Sequence, residues 1–310
     1  MKTAEMPMER PLLHGIHKET QISAAGRPLE ITLFIWRQCN LLCHYCGTME
    51  FYRDVAPEKN AGYIHTALAE LSSTPVRTII LQGPGEPFLK KKKLYPILRK
   101  ARSFGLATVI YTNGLLVDGG DIEELFELDV SLVFKLDSLD KERMISIYAT
   151  RSPCEFREMP PWGHVPYALW LALSRGFAKS RRLGVSCVMD DHNLDNSFNG
   201  ILNVLCFARE NGVIPLFNTL LVPDRGAMTL RAKMDPSIQK KALEALAKTD
   251  WERYGYKWAP TPPVGGYDLG ITQEDYVVSE NRVYGWRYSP AGIDVIPKGE
   301  FGDFIEWLKA

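Results

Sequence analysis

The chain has 310 residues, with 37 Lys+Arg set against 37 Asp+Glu, so its formal net charge is zero. That balance gives no electrostatic pull toward nucleic acid or an anionic membrane surface, and no apolar run is long enough to span a bilayer. The N-terminus lacks the uninterrupted apolar core of a secretory signal, so the chain reads as cytoplasmic, where thiols stay reduced.

Residues 1–28 are polar and mixed without a clear period, and predict an extension draped over the surface. From Leu29, short β-rich runs alternate with helical segments. LEITLFIW predicts a first strand leading into a cysteine-bearing loop, and a helix follows over 61–72. VRTIILQG is a second strand ending in GPGEP. The basic run LKKKKL reads as the solvated start of a helix over 94–104. LATVIYTNG is a third strand, followed by a short acidic helix over 121–128, and VSLVFKLDS is a fourth. A long, irregular connection comes next, with RSPCEFREMPPWG as its least regular part. A helix over 167–179, the strand GVSCVMDD, a helix over 198–211 and the strand VIPLFNTLLV complete the series.

Six strand–helix alternations, each strand rich in Val, Ile, Leu or Phe, predict an α/β fold with a parallel sheet covered by helices. With right-handed crossovers, residues 29–230 form an open, partial (β/α)6 TIM-like barrel. Beyond it, a helix over 235–248, a Tyr-, Trp-, Gly- and Pro-dense stretch with β-like runs EDYVVSE and RVYGWRY, and a closing amphipathic helix make residues 231–310 a small α+β C-terminal subdomain.

Three of the six cysteines fall within the eight residues CNLLCHYC, spaced Cys39-x3-Cys43-x2-Cys46, in the loop after the first strand. Thiolates so close in sequence converge on one soft metal centre. A structural zinc site needs a fourth ligand. His44 is adjacent, but its neighbours already converge, so it points elsewhere. Cys154, Cys187 and Cys206 lie far off, without pair spacing. Spacing alone leaves an iron–sulfur cluster, zinc or neither open. In a four-iron cluster on three thiolates, one iron lacks a protein ligand and is open to a small molecule.

With aromatic Tyr45 before the last cysteine, the motif resembles the signature of radical S-adenosylmethionine (SAM) enzymes, and the resemblance covers roughly residues 30–230. It implies a [4Fe–4S] cluster on Cys39, Cys43 and Cys46 whose open iron is chelated by SAM. It also implies reductive cleavage to methionine and a 5′-deoxyadenosyl radical that takes hydrogen from the substrate.

Further motifs follow in the order of that family. Gly83-Pro84-Gly85-Glu86-Pro87 is similar to its GGEP element, which binds the amino group of SAM; Pro84 stands where a second Gly is common. Thr112-Asn113-Gly114 is similar to the TNG of members with an extra C-terminal cluster domain. Strand alternation puts Lys135 and Asp137 on one inward face. The resemblance assigns Lys135 to the SAM carboxylate and Asp137 to the ribose or substrate. It suggests ribose contacts from Ser186 or Asn193, and Arg225 as a further group for the SAM carboxylate. A mutually satisfied Lys135–Asp137 ion pair, turn capping by Asn193 and a surface turn at Arg225 are the competing readings. All these motifs sit at the C-terminal ends of strands, the rim where β/α-barrel active sites form.

No cysteine follows Cys206. The C-terminal region therefore resembles a SPASM or twitch domain stripped of its ligands, expected to act as a lid. A single cluster favours redox-neutral outcomes such as epimerisation, elimination, rearrangement or decarboxylation. An epimerase needs a hydrogen donor, and Cys154 is the candidate. The expected substrate is a small molecule (a sugar, nucleoside or natural-product intermediate), and the expected electron donor is a flavodoxin or ferredoxin. A peptide-modifying enzyme and a non-catalytic zinc or iron–sulfur scaffold are the alternatives.

Overall fold

The computed structural model describes residues 13–14, 28–36, 38–46, 62–82, 85–149, 154–191, 193–194, 197–219, 235–257, 274–279, 281–289 and 292–310. The chain runs β1 (Glu30–Phe34), α1 (Gly62–Leu71), β2 (Thr78–Gln82), α2 (Lys91–Ser103), β3 (Ala107–Thr112), α3 (Gly119–Glu127), β4 (Ser131–Lys135) and α4 (Lys141–Tyr148). It continues with β5 (Phe156–Met159), β6 (Gly163–Pro166), α5 (Tyr167–Arg175), β7 (Leu183–Met189), α6 (Asn199–Glu210) and β8 (Ile214–Thr219). Last come α7 (Pro236–Tyr254), β9 (Glu274–Ser279), β10 (Arg282–Ser289), β11 (Gly292–Glu300) and α8 (Phe301–Lys309).

Strands β1, β2, β3, β4, β7 and β8 lie side by side in that order, every pair parallel. These are the six strands the apolar runs predict. Among the described residues β8 does not pair back to β1, so the barrel is open. Alternation divides each strand between two environments. In β4, Leu132 and Phe134 join the large helix-packed core, and Val133 joins a smaller cluster with Val109, Ile214 and Leu216. Lys135 shares the face of Val133 and borders the site described below.

Leu13 belongs to that second cluster and is 1% exposed. His14 N donates to Arg181 O at 2.7 Å, and the Ser131 hydroxyl donates to His14 O at 3.0 Å. Arg181 precedes β7 and Ser131 opens β4, so this segment ties down the end of the barrel where its strands begin. At residues 13–14 the extension is therefore packed into the fold rather than draped over it.

The connection expected to be irregular contains α4 and the β5–β6 hairpin. Asp140 caps α4, its carboxylate accepting from Arg143 N at 2.7 Å. The hairpin turns through Pro160-Pro161 into Gly163, where φ is +120°. A Cβ there would meet Leu139 O at 2.5 Å, so glycine is required where the hairpin crosses the β4–α4 connection.

In the C-terminal region, β9 pairs parallel with β1, and β10 pairs antiparallel with both β9 and β11. These strands extend the barrel's own sheet to nine strands. A bidentate ion pair from Arg209 on α6 to Asp250 on α7, at 2.8 and 2.6 Å, holds α7 against the barrel.

Candidate metal centre

Cys39, Cys43 and Cys46 border a single cavity of about 270 Å³ at the C-terminal ends of the barrel strands. The loop that carries them is held at both ends. At its start, Trp36 Nε1 donates to Glu86 O at 2.6 Å and Glu86 N donates to Gln38 O at 2.8 Å. Asn113 Nδ2 donates to Asn40 Oδ1 at 2.9 Å. At its middle, Leu42 N donates to Tyr148 O at 3.1 Å. At its end, the Tyr45 hydroxyl donates to Asp137 Oδ2 at 2.8 Å, and His44 Nε2 pairs with Asp190 Oδ2 at 2.7 Å.

The GPGEP and TNG turns interlock. The Glu86 carboxylate accepts from Phe88 N at 3.0 Å, from the Thr112 hydroxyl at 2.7 Å and from Asn113 N at 2.8 Å. Burial outweighs these bonds and pushes its pKa up to about 6. Gly114 has φ +77°, and a Cβ there would come within 2.7 Å of the Phe134 ring, so the turn needs its glycine.

Burial also raises the Cys39 and Cys43 thiols, each to about 11. A thiolate at these positions is costly unless a cation accompanies it, which suits ligation of a metal. Leu41 N lies 3.4 Å from Cys39 Sγ, a backbone donor aimed at sulfur. The Lys135 ammonium lowers the Cys43 thiol in opposition to burial. Three soft donors in one half-buried cavity, with a cation and an amide directed at them, fit an iron–sulfur cluster better than a closed tetrahedral zinc site.

The expected site residues divide three ways. Tyr45, Gly85, Glu86, Asn113, Lys135 and Ser186 border the cavity with the cysteines. Gly83 and Arg225 lie outside the described residues. Asp137, Asn193 and Cys154 do not border it. Asp137 is fully buried behind Lys135, with which it forms an ion pair, so it meets the protein rather than a ribose or substrate. Lys135 is likewise engaged, its ammonium 4.8 Å from the centre of the Tyr45 ring and 4.7 Å from that of Tyr148. Burial lowers its pKa from the ordinary lysine value. Asn193 is fully buried and caps the turn after β7, accepting from Asp190 N at 3.0 Å. Cys154 is half-buried before β5, packed against the helix-side core.

The cavity also includes Thr112 of the TNG turn, together with Gln82, Tyr111 and Val188, which the motifs do not single out. Gln82 and Tyr111 were detectable in the sequence, as polar side chains near the ends of strands with apolar neighbours. Asn218 of β8 donates to the Ser186 hydroxyl at 2.8 Å, which required knowing that β7 and β8 are adjacent.

The radical SAM superfamily model matches residues 33–159, from the end of β1 through the cysteine loop to β5. Over this span the chain is similar to the radical SAM domain. The domain's cofactors are S-adenosylmethionine and an iron–sulfur cluster. Among solved structures, native anSMEcpe with bound AdoMet is similar at 16% identity and a TM-score of 0.61, covering 91% of this chain and 80% of that one. SuiB of Streptococcus suis bound to S-adenosylmethionine is similar at 18% identity and a TM-score of 0.54, covering 73% of this chain and 45% of that one. SuiB bound to the precursor peptide SuiA gives 19% identity and 0.56, covering 73% and 47%. The chain spans about half the length of these two SuiB structures. At these identities the likeness speaks for the fold, a partial TIM-like barrel. No curated protein matches the sequence. No helix among the described residues is long and apolar enough to cross a membrane.

Proposed function

We infer that this chain is a cytoplasmic radical SAM enzyme with one cluster, held by Cys39, Cys43 and Cys46, acting on a small organic substrate. The observation that carries the reading is the convergence of these three thiols on one cavity with the GPGEP and TNG turns. When bound, the cluster and SAM supply a one-electron cleavage that yields methionine and a 5′-deoxyadenosyl radical. The chain's own residues hold the cysteine loop in place, and neutral hydrogen-bonding groups such as Gln82, Tyr111 and Ser186 face the bound molecules. Gly83 and Gly85 are proposed for the amino group of SAM. Arg225 is proposed for its carboxylate, since Lys135 is engaged by Asp137. The electron donor is proposed to be a flavodoxin or ferredoxin.

Residues 231–310 are proposed to be a cluster-free appendage that shares the barrel sheet through β9. With no second cluster, a redox-neutral outcome is favoured. Cys154 as hydrogen donor would require the segment before β5 to turn toward the cavity.

A second reading has a specific observation behind it. The similar SuiB structure is bound to a precursor peptide, and a related anSMEcpe structure is bound to the Cp18Cys peptide. A peptide substrate for this chain follows by analogy of fold alone. The two readings separate in one experiment. The reconstituted enzyme is incubated with SAM, reductant and cell extract, split by ultrafiltration and treated or not with protease. Stimulation of 5′-deoxyadenosine formation by a protease-resistant, low-mass fraction supports the small-molecule reading. Stimulation that protease abolishes contradicts it and favours a peptide.

A further inference from the structure

Each of the two residues between Cys43 and Cys46 is tied to a different buried carboxylate. The Tyr45 hydroxyl donates to Asp137, 92 positions away, and His44 pairs with Asp190, 146 positions away. Both carboxylates are fully buried, and the His44 side chain is 8% exposed. The two oxygens of each carboxylate are divided in the same way. One serves the barrel: Asp137 Oδ1 accepts from Val188 N at 2.8 Å, and Asp190 Oδ1 accepts from Asn193 N at 3.2 Å. The other serves the cysteine loop: Asp137 Oδ2 takes Tyr45 and the Lys135 ammonium, and Asp190 Oδ2 takes His44.

We propose that Asp137 and Asp190 are positioning residues that fix the Cys43–Cys46 turn to β4 and β7 and so hold two of the three cluster ligands in register. The proposal rests on the iron–sulfur reading and names what keeps its ligand set in shape. The physical case is one of order. A loop carrying three thiolates that repel one another is open to rearrangement, and the Cys46 N–H to Cys43 O bond at 2.9 Å closes the turn without orienting it. Two charge-assisted hydrogen bonds from consecutive residues of the turn, to buried carboxylates that follow different strands, set its orientation. Partners of this kind behind metal ligands typically change metal retention by roughly 10–100-fold. The same arrangement links the turn to Ser186 and Val188, which border the cavity on β7. A shift of β7 and a shift of the cysteine turn are thereby coupled.

The test compares iron release from anaerobically reconstituted full-length protein to a ferrous chelator, for wild type, Tyr45→Phe, His44→Phe and His44→Gln. Folding of each cluster-free variant is checked by thermal unfolding. Tyr45→Phe removes one hydroxyl and His44→Phe keeps a ring, so both leave the bulk of the turn in place. The expected result is release at least roughly tenfold faster in both Phe variants. His44→Gln, which keeps an N–H donor for Asp190, is expected to restore retention to near the wild-type rate. Unchanged release in the Phe variants overturns the proposal. So does a Gln variant that leaks as fast as His44→Phe, because packing would then explain the loss. A wild-type chain that takes up no iron overturns the iron–sulfur reading together with this one. A stable wild-type cluster with indifferent variants overturns this one alone.

Discussion

Glu86 shows how a motif residue can serve the protein that presents it. Its carboxylate is bound by Phe88, Thr112 and Asn113, and its backbone clasps the start of the cysteine loop. Three donors favour the charged form, yet burial prevails and the folded pKa is about 6, against an ordinary value of 4.5. The protonated form is therefore favoured by folding. The stability it contributes is fully present below pH 4.5 and is lost as pH rises through 6. That shift corresponds to about 2 kcal/mol. In urea unfolding of the cluster-free protein, the stability of wild type relative to Glu86→Gln should fall by about that amount between pH 4 and 7. A pH-independent difference would sink the assignment. That Cys39, Cys43 and Cys46 meet at one cavity was legible in the sequence because local spacing keeps them together. The inward face of Lys135 and Asp137 was legible from alternation. The pairing of Asp137 with Tyr45, and that of His44 with Asp190, were not, because each joins a loop to a strand end far along the chain, 92 and 146 positions away.

At the scale of elements, the six parallel strands were readable because each is an apolar run buried on both faces. The α4 helix and the β5–β6 hairpin were not. α4 is eight residues long, with charges in its first turn, and the β5 sequence FREM has a weak alternation next to two prolines. The packing of Leu13 was invisible for another reason. The polar, mixed stretch around Leu13 has no clear period, and its partners come from β3, β4 and β8. Leu13→Ala should cost about 3 kcal/mol, within the range for emptying a buried leucine site. Denaturant unfolding reads this directly. A change below about 0.5 kcal/mol, the range typical of surface positions, would show that Leu13 does not plug the barrel.

Among the described residues, the sheet is open on the β8 side, and on the β1 side it is continued by β9 and the β10–β11 strands. The sequence pattern placed a strand pair in this region but could not place it against β1, since pairing between strands some 240 positions apart has no local signature. The consequence is that the edge strand next to the cysteine loop is paired instead of exposed. The cavity, the three thiols and the interlocked turns all lie at one end of this sheet, as barrel chemistry requires. Cys39, Cys43 and Cys46 are proposed to hold a cluster that cleaves SAM. The direct measurement is 5′-deoxyadenosine formed by the anaerobically reconstituted, reduced protein with SAM, alongside its iron content. The expected result is about four irons per chain and measurable 5′-deoxyadenosine, both lost in Cys43→Ala. One tightly bound zinc and no 5′-deoxyadenosine would contradict it.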